Sequence, residues 1–269
     1  MLNNAPGRTT LTPAEQLLVG YLAKDSLVSF RNLQGIYQSK KIGSKSYFSR
    51  IVSSLLHKKY LLQIKKGLYY AALNQPYDEF LLGQYLFGGY IGFSTALWLH
   101  GMKTETPSTC YIVVYKGKKA KRIGSMQYQA ISLGEKAVGS FYLGKHHIST
   151  KAKTLFDCFY MPKYAGGFSQ IIYSLSSSSI NNEEWREFLE YIHKFGSSTT
   201  VQRAGFVLSL LRKKNPKFIP AGIINSLREE LKKRKRTINI LNPSFARKGK
   251  FIKEWGIYDN MGEERIMGE

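Results

Sequence analysis

Cysteine, acidic residues and metal-ligating spacings are all scarce in this chain, and each scarcity excludes a class of protein. Two cysteines, Cys110 and Cys158, occur in 269 residues, and neither sits in a Cys-x-x-Cys spacing. That excludes a disulfide framework and a cysteine zinc site, and it predicts a reducing, cytoplasmic setting. The opening MLNNAPGRTTLTPAEQ carries no apolar run of the kind a signal peptide needs, so secretion is not expected. No His-Glu-x-x-His spacing occurs, and adjacent His146 and His147 on a strand would point to opposite faces, where they cannot share one metal. There is no Walker-type loop, and Gly83, Gly88, Gly89 and Gly92 make no Gly-x-Gly-x-x-Gly after a strand, which leaves them as packing glycines. A metal nuclease would need acids at strand ends, but Glu135-Lys136 has the wrong spacing and Asp157 lies in a helical pattern, where a structural ion pair or helix hydrogen bond is its expected role. Met102, Met126 and Met161 follow no cofactor pattern. The sequence predicts no enzyme, no cofactor and no metal.

One apolar stretch tests the membrane class. Phe80 to Met102 is 23 residues without a charge, long enough to span a bilayer. Gln84, Gly88, Gly89, Gly92, Ser94, Thr95 and His100 interrupt it, so it reads as two core helices joined by a glycine turn, with no membrane partner.

What the chain has in excess is positive charge. Forty Lys and Arg against 18 Asp and Glu leave +22, with a pI near 9.9, and polyanion binding is the leading expectation. Hydrophobic residues at 43% are enough for buried cores, and at about 150 residues per domain the length suggests two. Residues 1–75 carry +9 and 203–256 carry +12, while acids gather at 182–190 and after Tyr258.

The first 75 residues read as a winged helix-turn-helix. Thr12-Pro13-Ala14-Glu15 gives an N-cap hydroxyl, a first-turn proline and a capping glutamate, and Leu18, Tyr21 and Leu22 continue the helix. Phe30, Leu33 and Ile36 or Tyr37 suggest a second helix. Phe48, Ile51, Val52, Leu55 and Leu56 form one buried face of a third, expected from about Ser44 to Lys58. Two strands, 60–64 and 68–72, flank Lys65-Lys66-Gly67 as a hairpin with a basic tip. Opposite the apolar face of the third helix lie Lys45, Ser46, Ser49, Arg50 and Ser53. Small hydroxyls permit close approach to base edges, Arg50 can bridge guanine O6 and N7, and Lys45 can reach a phosphate, with Lys65 and Lys66 as wing contacts on double-stranded DNA. An ordinary solvated helix face is the competing reading.

A linker is expected at Asn74-Gln75-Pro76, and residues 76–269 form a larger mixed α/β domain. Strands are predicted at 110–115, 127–132 and 140–143, and helices at 150–160, from Asn181 or Asn182, at 199–211 and at 221–235. The basic run Lys232 to Arg236 ends the last helix, where cations complement the dipole or meet a polyanion; Tyr115 to Lys119 is equally open between hairpin tip and phosphate contact. The fold class is α+β.

Several segments, in order, resemble the AbiEi antitoxins of abortive-infection toxin–antitoxin systems: LLQIKKGLYYAA, YIGFSTALWLHGM, CYIVVYK, STKAKTLFDCFYMPKYAGG and QRAGFVLSLL. The resemblance implies a prokaryotic antitoxin that represses its own promoter through the winged domain and counters a nucleotidyltransferase-type toxin through the second. It also implies an antitoxin-domain motif of Trp98, His100, Lys153, Thr154 and Asp157 without catalytic residues. From Leu231 onward the chain matches no pattern of that family. Two other readings compete: a winged-helix regulator whose second domain binds a ligand or protein, and a nuclease-like enzyme. A neighbouring gene with a nucleotidyltransferase signature separates the first reading from the second, and metal-dependent cleavage would favour the third.

Overall fold

The computed structural model describes residues 10–74, 77–235, 237–246 and 248–267. Gln75 and Pro76 of the expected linker, Arg236 of the basic run and the last two residues of the tail lie outside that set. The chain divides into two compact units, one of residues 1–89 with 120–128 and one of 90–119 with 129–269. The first unit therefore runs past the 75/76 boundary expected from the linker composition.

In the first unit, α1 (Pro13–Gly20) opens with the expected capping box: Glu15 N–H donates to Thr12 Oγ1 and Thr12 N–H to Glu15 Oε2. Next come β1 (Leu27–Ser29), α2 (Phe30–Ser39) and, after a 3₁₀ turn at Lys45–Tyr47, α3 (Phe48–His57). The α-helix thus begins four residues later than its apolar spacing suggested, because Lys45–Tyr47 winds in the tighter form common at helix N-termini. Strands β2 (Leu61–Lys65) and β3 (Leu68–Ala71) make the wing hairpin, and β1 adds antiparallel to β3, giving the order β1-β3-β2. Leu18, Leu33, Tyr37, Phe48, Ile51, Leu55 and Leu61 bury together under this sheet. At about 1.5–3 kcal/mol per large apolar side chain, that cluster is the unit's main stabilising term. The unit continues into α4 (Glu79–Phe87), capped by Asp78 and ended by Gly88 at φ +64, a conformation that favours glycine.

In place of the bare glycine turn between two core helices, the second unit opens with a short strand, β4 (Tyr90–Ile91), before α5 (Phe93–Leu99). Gly92 lets this corner approach the next strand, since a Cβ there would lie 2.6 Å from Val113 Cγ2. Then follow β5 (Thr109–Val114), β6 (Lys121–Ile123), β7 (Met126–Ser132), β8 (Ser140–Leu143) and β9 (His146–Ser149). Within the second unit the strand order is β7-β5-β4-β9-β8. The sheet is mixed, with β4 parallel to β9 and antiparallel to β5. Residues 120–128, the β6–β7 hairpin, group with the first unit.

Five helices complete the core: α6 (Lys151–Tyr160), α7 (Phe168–Ser176), α8 (Asn182–Phe195), α9 (Ser198–Lys214) and α10 (Ala221–Lys232). Helix α7 was not expected from the sequence. Helix α6 packs against α5, α8, α9 and α7, so it is buried on every side: Ala152, Leu155, Phe156 and Phe159, and Lys153, Thr154, Asp157 and Cys158 as well. The chain closes with β10 (Asn239–Ile240), β11 (Lys250–Ile252), β12 (Ile257–Asp259) and α11 (Glu263–Met267), a small sheet ordered β10-β12-β11. No helix among the described residues is long and apolar enough to cross a membrane.

Candidate nucleic-acid interface

The turn between α2 and α3 is fixed from inside. Tyr37 is fully buried, its ring 5.1 Å from that of Phe48, and its hydroxyl donates to Ser44 O at 3.2 Å. Gly43 lies against that hydroxyl so closely that a Cβ would collide with it. Phe30 meets Phe48 edge-on, also at 5.1 Å. These contacts clamp the start of α3 with its apolar face inward: Phe48, Ile51, Val52 and Leu55 are buried.

All five residues expected on the opposite face are exposed, in two settings. Lys45 and Ser46 stand on the 3₁₀ turn, where Ser44 Oγ and Ser46 Oγ share a hydrogen bond of 3.1 Å; Ser49, Arg50 and Ser53 stand on α3. Lys65 ends β2 and Lys66 occupies the turn before Gly67 at φ +75; both are exposed. Among the described residues, Lys45, Arg50, Lys65 and Lys66 have no ion-pair partner, so their charge is available to an external anion. Lys58 contrasts with them. It is spent on Glu15 at 2.7 Å and on Thr10 O at 3.0 Å. Burial alone would raise the Glu15 carboxyl, but hydrogen bonds from Lys58, Ser54 and Thr12 hold it down at about 2.

Two further cations belong here that sequence reasoning did not place. Lys121 and Arg122 on β6 are exposed in the same unit, and Lys121 Nζ donates to Ile64 O of the wing strand at 3.3 Å. The basic stretch after Tyr115 was visible, but its attachment to the wing depends on contact with residues some sixty positions earlier. The first unit carries 13 Lys and Arg against 4 Asp and Glu, so its charge stays at +9.

The five residues that the family resemblance singles out lie elsewhere and mostly inward. Lys153, Thr154 and Asp157 have no exposed surface, so they cannot touch a partner directly. Lys153 Nζ meets Asp157 Oδ1 at 2.5 Å, the ion pair expected of Asp157, and stands over the rings of Phe156 and Tyr191. Thr154 Oγ1 lies 2.8 Å from Thr150 O and 2.6 Å from Ser149 Oγ, and Ser149 Oγ lies 3.3 Å from Ile91 O, a chain in which the two hydroxyl protons serve two of the three contacts at a time. Burial raises the Asp157 carboxyl to about 6 although Lys153 pulls the other way. Trp98 and His100 are half-buried, and His100 Nε2 lies 2.8 Å from Ser149 O. The motif is a packing network that joins β4, β9 and α6.

The basic run after α10 is also largely consumed by the fold. Lys232 pairs with Glu229 and Lys233 with Glu230, while Arg234 donates to Ile192 O, His193 O and Gly196 O at the end of α8 and to Glu230. It acts as a C-terminal cap on a neighbouring helix. Among the described residues no three His, Cys, Asp or Glu side chains gather as a metal site.

No protein-family profile matches the chain, and no curated protein does. Among solved structures, the RV2827C protein from Mycobacterium tuberculosis is similar over 98% of both chains, with a TM-score of 0.67 at 15% identity. The likeness is one of fold. It covers both units of the α+β architecture, a winged helix-turn-helix followed by a larger mixed α/β unit, and at that identity it carries no residue-level role.

Proposed function

We propose that this chain is a DNA-binding antitoxin that represses its own promoter through the winged unit and counters a nucleotidyltransferase-type toxin through the second unit. The observation that carries the DNA reading is the exposed face of α3 and its preceding turn, whose cations have no ion-pair partner among the described residues and stand among small hydroxyls, in one unit with the cationic wing tip. Arg50 supplies a planar fork for a guanine edge; Ser46, Ser49 and Ser53 keep the helix surface low; Lys45, Lys65, Lys66, Lys121 and Arg122 address phosphates. The antitoxin half of the reading rests on the resemblance of ordered segments to the AbiEi family. In it, Lys153, Thr154 and Asp157 hold the shape of the second unit and the toxin is countered without chemistry by this chain. The chain works in the cytoplasm and takes no cofactor or metal.

The test is growth rescue of cells expressing the adjacent toxin, run beside a promoter reporter. Arg50→Ala is expected to release the promoter and leave rescue intact. Loss of both together, in a folded protein, would show that toxin control runs through DNA binding and would remove the division of labour.

A further inference from the structure

Strand β8 is the outermost strand of the second unit's sheet, and the register shows which of its backbone groups are free. It pairs antiparallel with β9 in four consecutive steps without a bulge: Ser140 with Ser149, Phe141 with Ile148, Tyr142 with His147 and Leu143 with His146. One step further on, Thr150 N–H donates to Gly139 O at 2.9 Å. Antiparallel pairs alternate between those that exchange backbone hydrogen bonds and those that do not. With Gly139 and Thr150 bonded, Phe141 and Leu143 also spend their N–H and C=O on β9, whereas Ser140 and Tyr142 aim theirs out of the sheet. Among the described residues no further strand pairs with that side of β8.

Proteins blunt an open edge of this kind with lysine, proline or a bulge, and β8 has none of these. Val138, Phe141, Tyr142 and Leu143 are all exposed, Tyr142 by 71%. Residues 137–144 contain no charged side chain, in a chain that carries +22. The strand is also held in shape from both faces. On one, the Tyr142 ring stacks on His147 at 4.7 Å and Ser140 Oγ lies 2.8 Å from His147 Nε2; on the other, Phe141 stacks on His100 at 6.2 Å. The edge is therefore ordered before a partner arrives, which lowers the entropy cost of adding a strand.

We propose that β8 pairs antiparallel with β8 of a second copy of this chain, continuing the sheet across a two-fold axis at Phe141. Charge selects the occupant. In a two-fold contact the same patch meets itself, so two chains of +22 come together best through an uncharged edge, and an acidic strand drawn by charge would find no cation along 137–144. The outward backbone groups then fix the register. Setting Ser140 opposite Tyr142 of the second copy, and Tyr142 opposite its Ser140, uses every free N–H and C=O of both strands in four hydrogen bonds. It also sets Phe141 opposite Phe141 of the second copy as the closely spaced, non-bonded pair at the axis. A four-residue strand gives a small contact, so the dimer is a weak one that forms in the micromolar range. The surface belongs to the second unit and is independent of how the winged unit meets DNA.

The experiment is sedimentation velocity of the full chain from micromolar to submillimolar concentration, at physiological ionic strength to screen the net charge. The expected result is a concentration-dependent monomer–dimer equilibrium. Tyr142→Pro removes an outward N–H and leaves the bonds to β9 in place, so it should weaken association by about tenfold or more with an unchanged circular dichroism spectrum. Cross-linking reads the register without relying on proline. Cβ atoms of a non-bonded pair lie about 4.5–5.5 Å apart, so Phe141→Cys should give a disulfide-linked dimer on mild oxidation, while the offset positions in Tyr142→Cys are too far apart to bridge. Cys110 and Cys158 are fully buried and contribute no thiol. A wild-type chain that stays monomeric throughout, a dimer that Tyr142→Pro leaves unchanged, or faster cross-linking in Tyr142→Cys than in Phe141→Cys overturns the proposal.

Discussion

The buried pair Lys153–Asp157 gives the sharpest stability prediction. Both side chains are fully buried with Nζ and Oδ1 2.5 Å apart, and Asp157 Oδ2 has no partner among the described residues. Removing either partner leaves a charge that water cannot reach, at a cost of about 3–5 kcal/mol, while replacing both with apolar groups of similar volume is neutral or stabilising by about 1–4 kcal/mol. Against a typical total of about 5–15 kcal/mol, either single change is severe. The assay is urea unfolding followed by tryptophan fluorescence. All three tryptophans lie in the second unit, so the signal reports that unit alone. Asp157→Leu should lose several kcal/mol, and Asp157→Leu with Lys153→Met should recover most of it. The pH dependence has a definite sign. The Asp157 carboxyl is raised from its ordinary 3.8 to about 6, because burial outweighs the pull of Lys153, so its contribution is fully present below about 4 and is lost as pH rises through 6. Acidification from pH 7 to 4 should therefore raise the stability of the wild-type unit through this group, and the double variant, which lacks the carboxyl, should not show that gain. Single variants that each lose under about 1 kcal/mol would refute the burial argument.

Three further expectations concern other parts of the chain. Glu15 carries the opposite pH sign: its carboxyl is lowered from 4.5 to about 2, so its contribution of up to about 3 kcal/mol is present above pH 4.5 and lost as pH falls through 2, and Glu15→Gln should remove that dependence from amide exchange in α1 and α3. Gly205→Ala improves helix propensity by about 1 kcal/mol but drives a methyl into the Trp255 ring, and overpacking at about 1–3 kcal/mol should win; a raised melting temperature would contradict it. Lys66→Ala should weaken promoter and unrelated DNA to the same extent, as a phosphate contact does; a selective loss on the promoter would make the wing a base reader.

Local chemistry made much of the winged unit readable in advance. The Thr12–Glu15 capping box, the 48–56 apolar spacing and the Lys66–Gly67 turn each specify structure within a few residues. What could not be read was non-local. Strand β1 is three residues long and exists because β3 offers it an edge; α7 lacks a side-chain cap; and the β6–β7 hairpin joins the first unit through contacts distant in sequence. The same limit shaped the candidate residues. The α3 face was legible because exposed and buried positions alternate with helical period, but that period would place Lys153 and Asp157 on a solvated face. They are buried because α8 and the sheet close over α6, and only that closure makes the motif a packing network. Arg234 looked like part of a free basic run until the end of α8 supplied its carbonyl partners.

Fluorescence anisotropy of the full chain on its own promoter duplex, beside a scrambled duplex of equal length, tests DNA reading by α3 most directly. With four to six phosphate contacts the slope of log K against log salt should be roughly −4 to −5 on both duplexes, at about −0.9 per contact. Arg50→Ala should cost about 1–3 kcal/mol on the promoter and much less on the scrambled sequence, collapsing the preference between them. A wild-type protein that binds both duplexes equally, or an Arg50→Ala protein that keeps the full preference, would contradict the assignment of α3 as the reading helix.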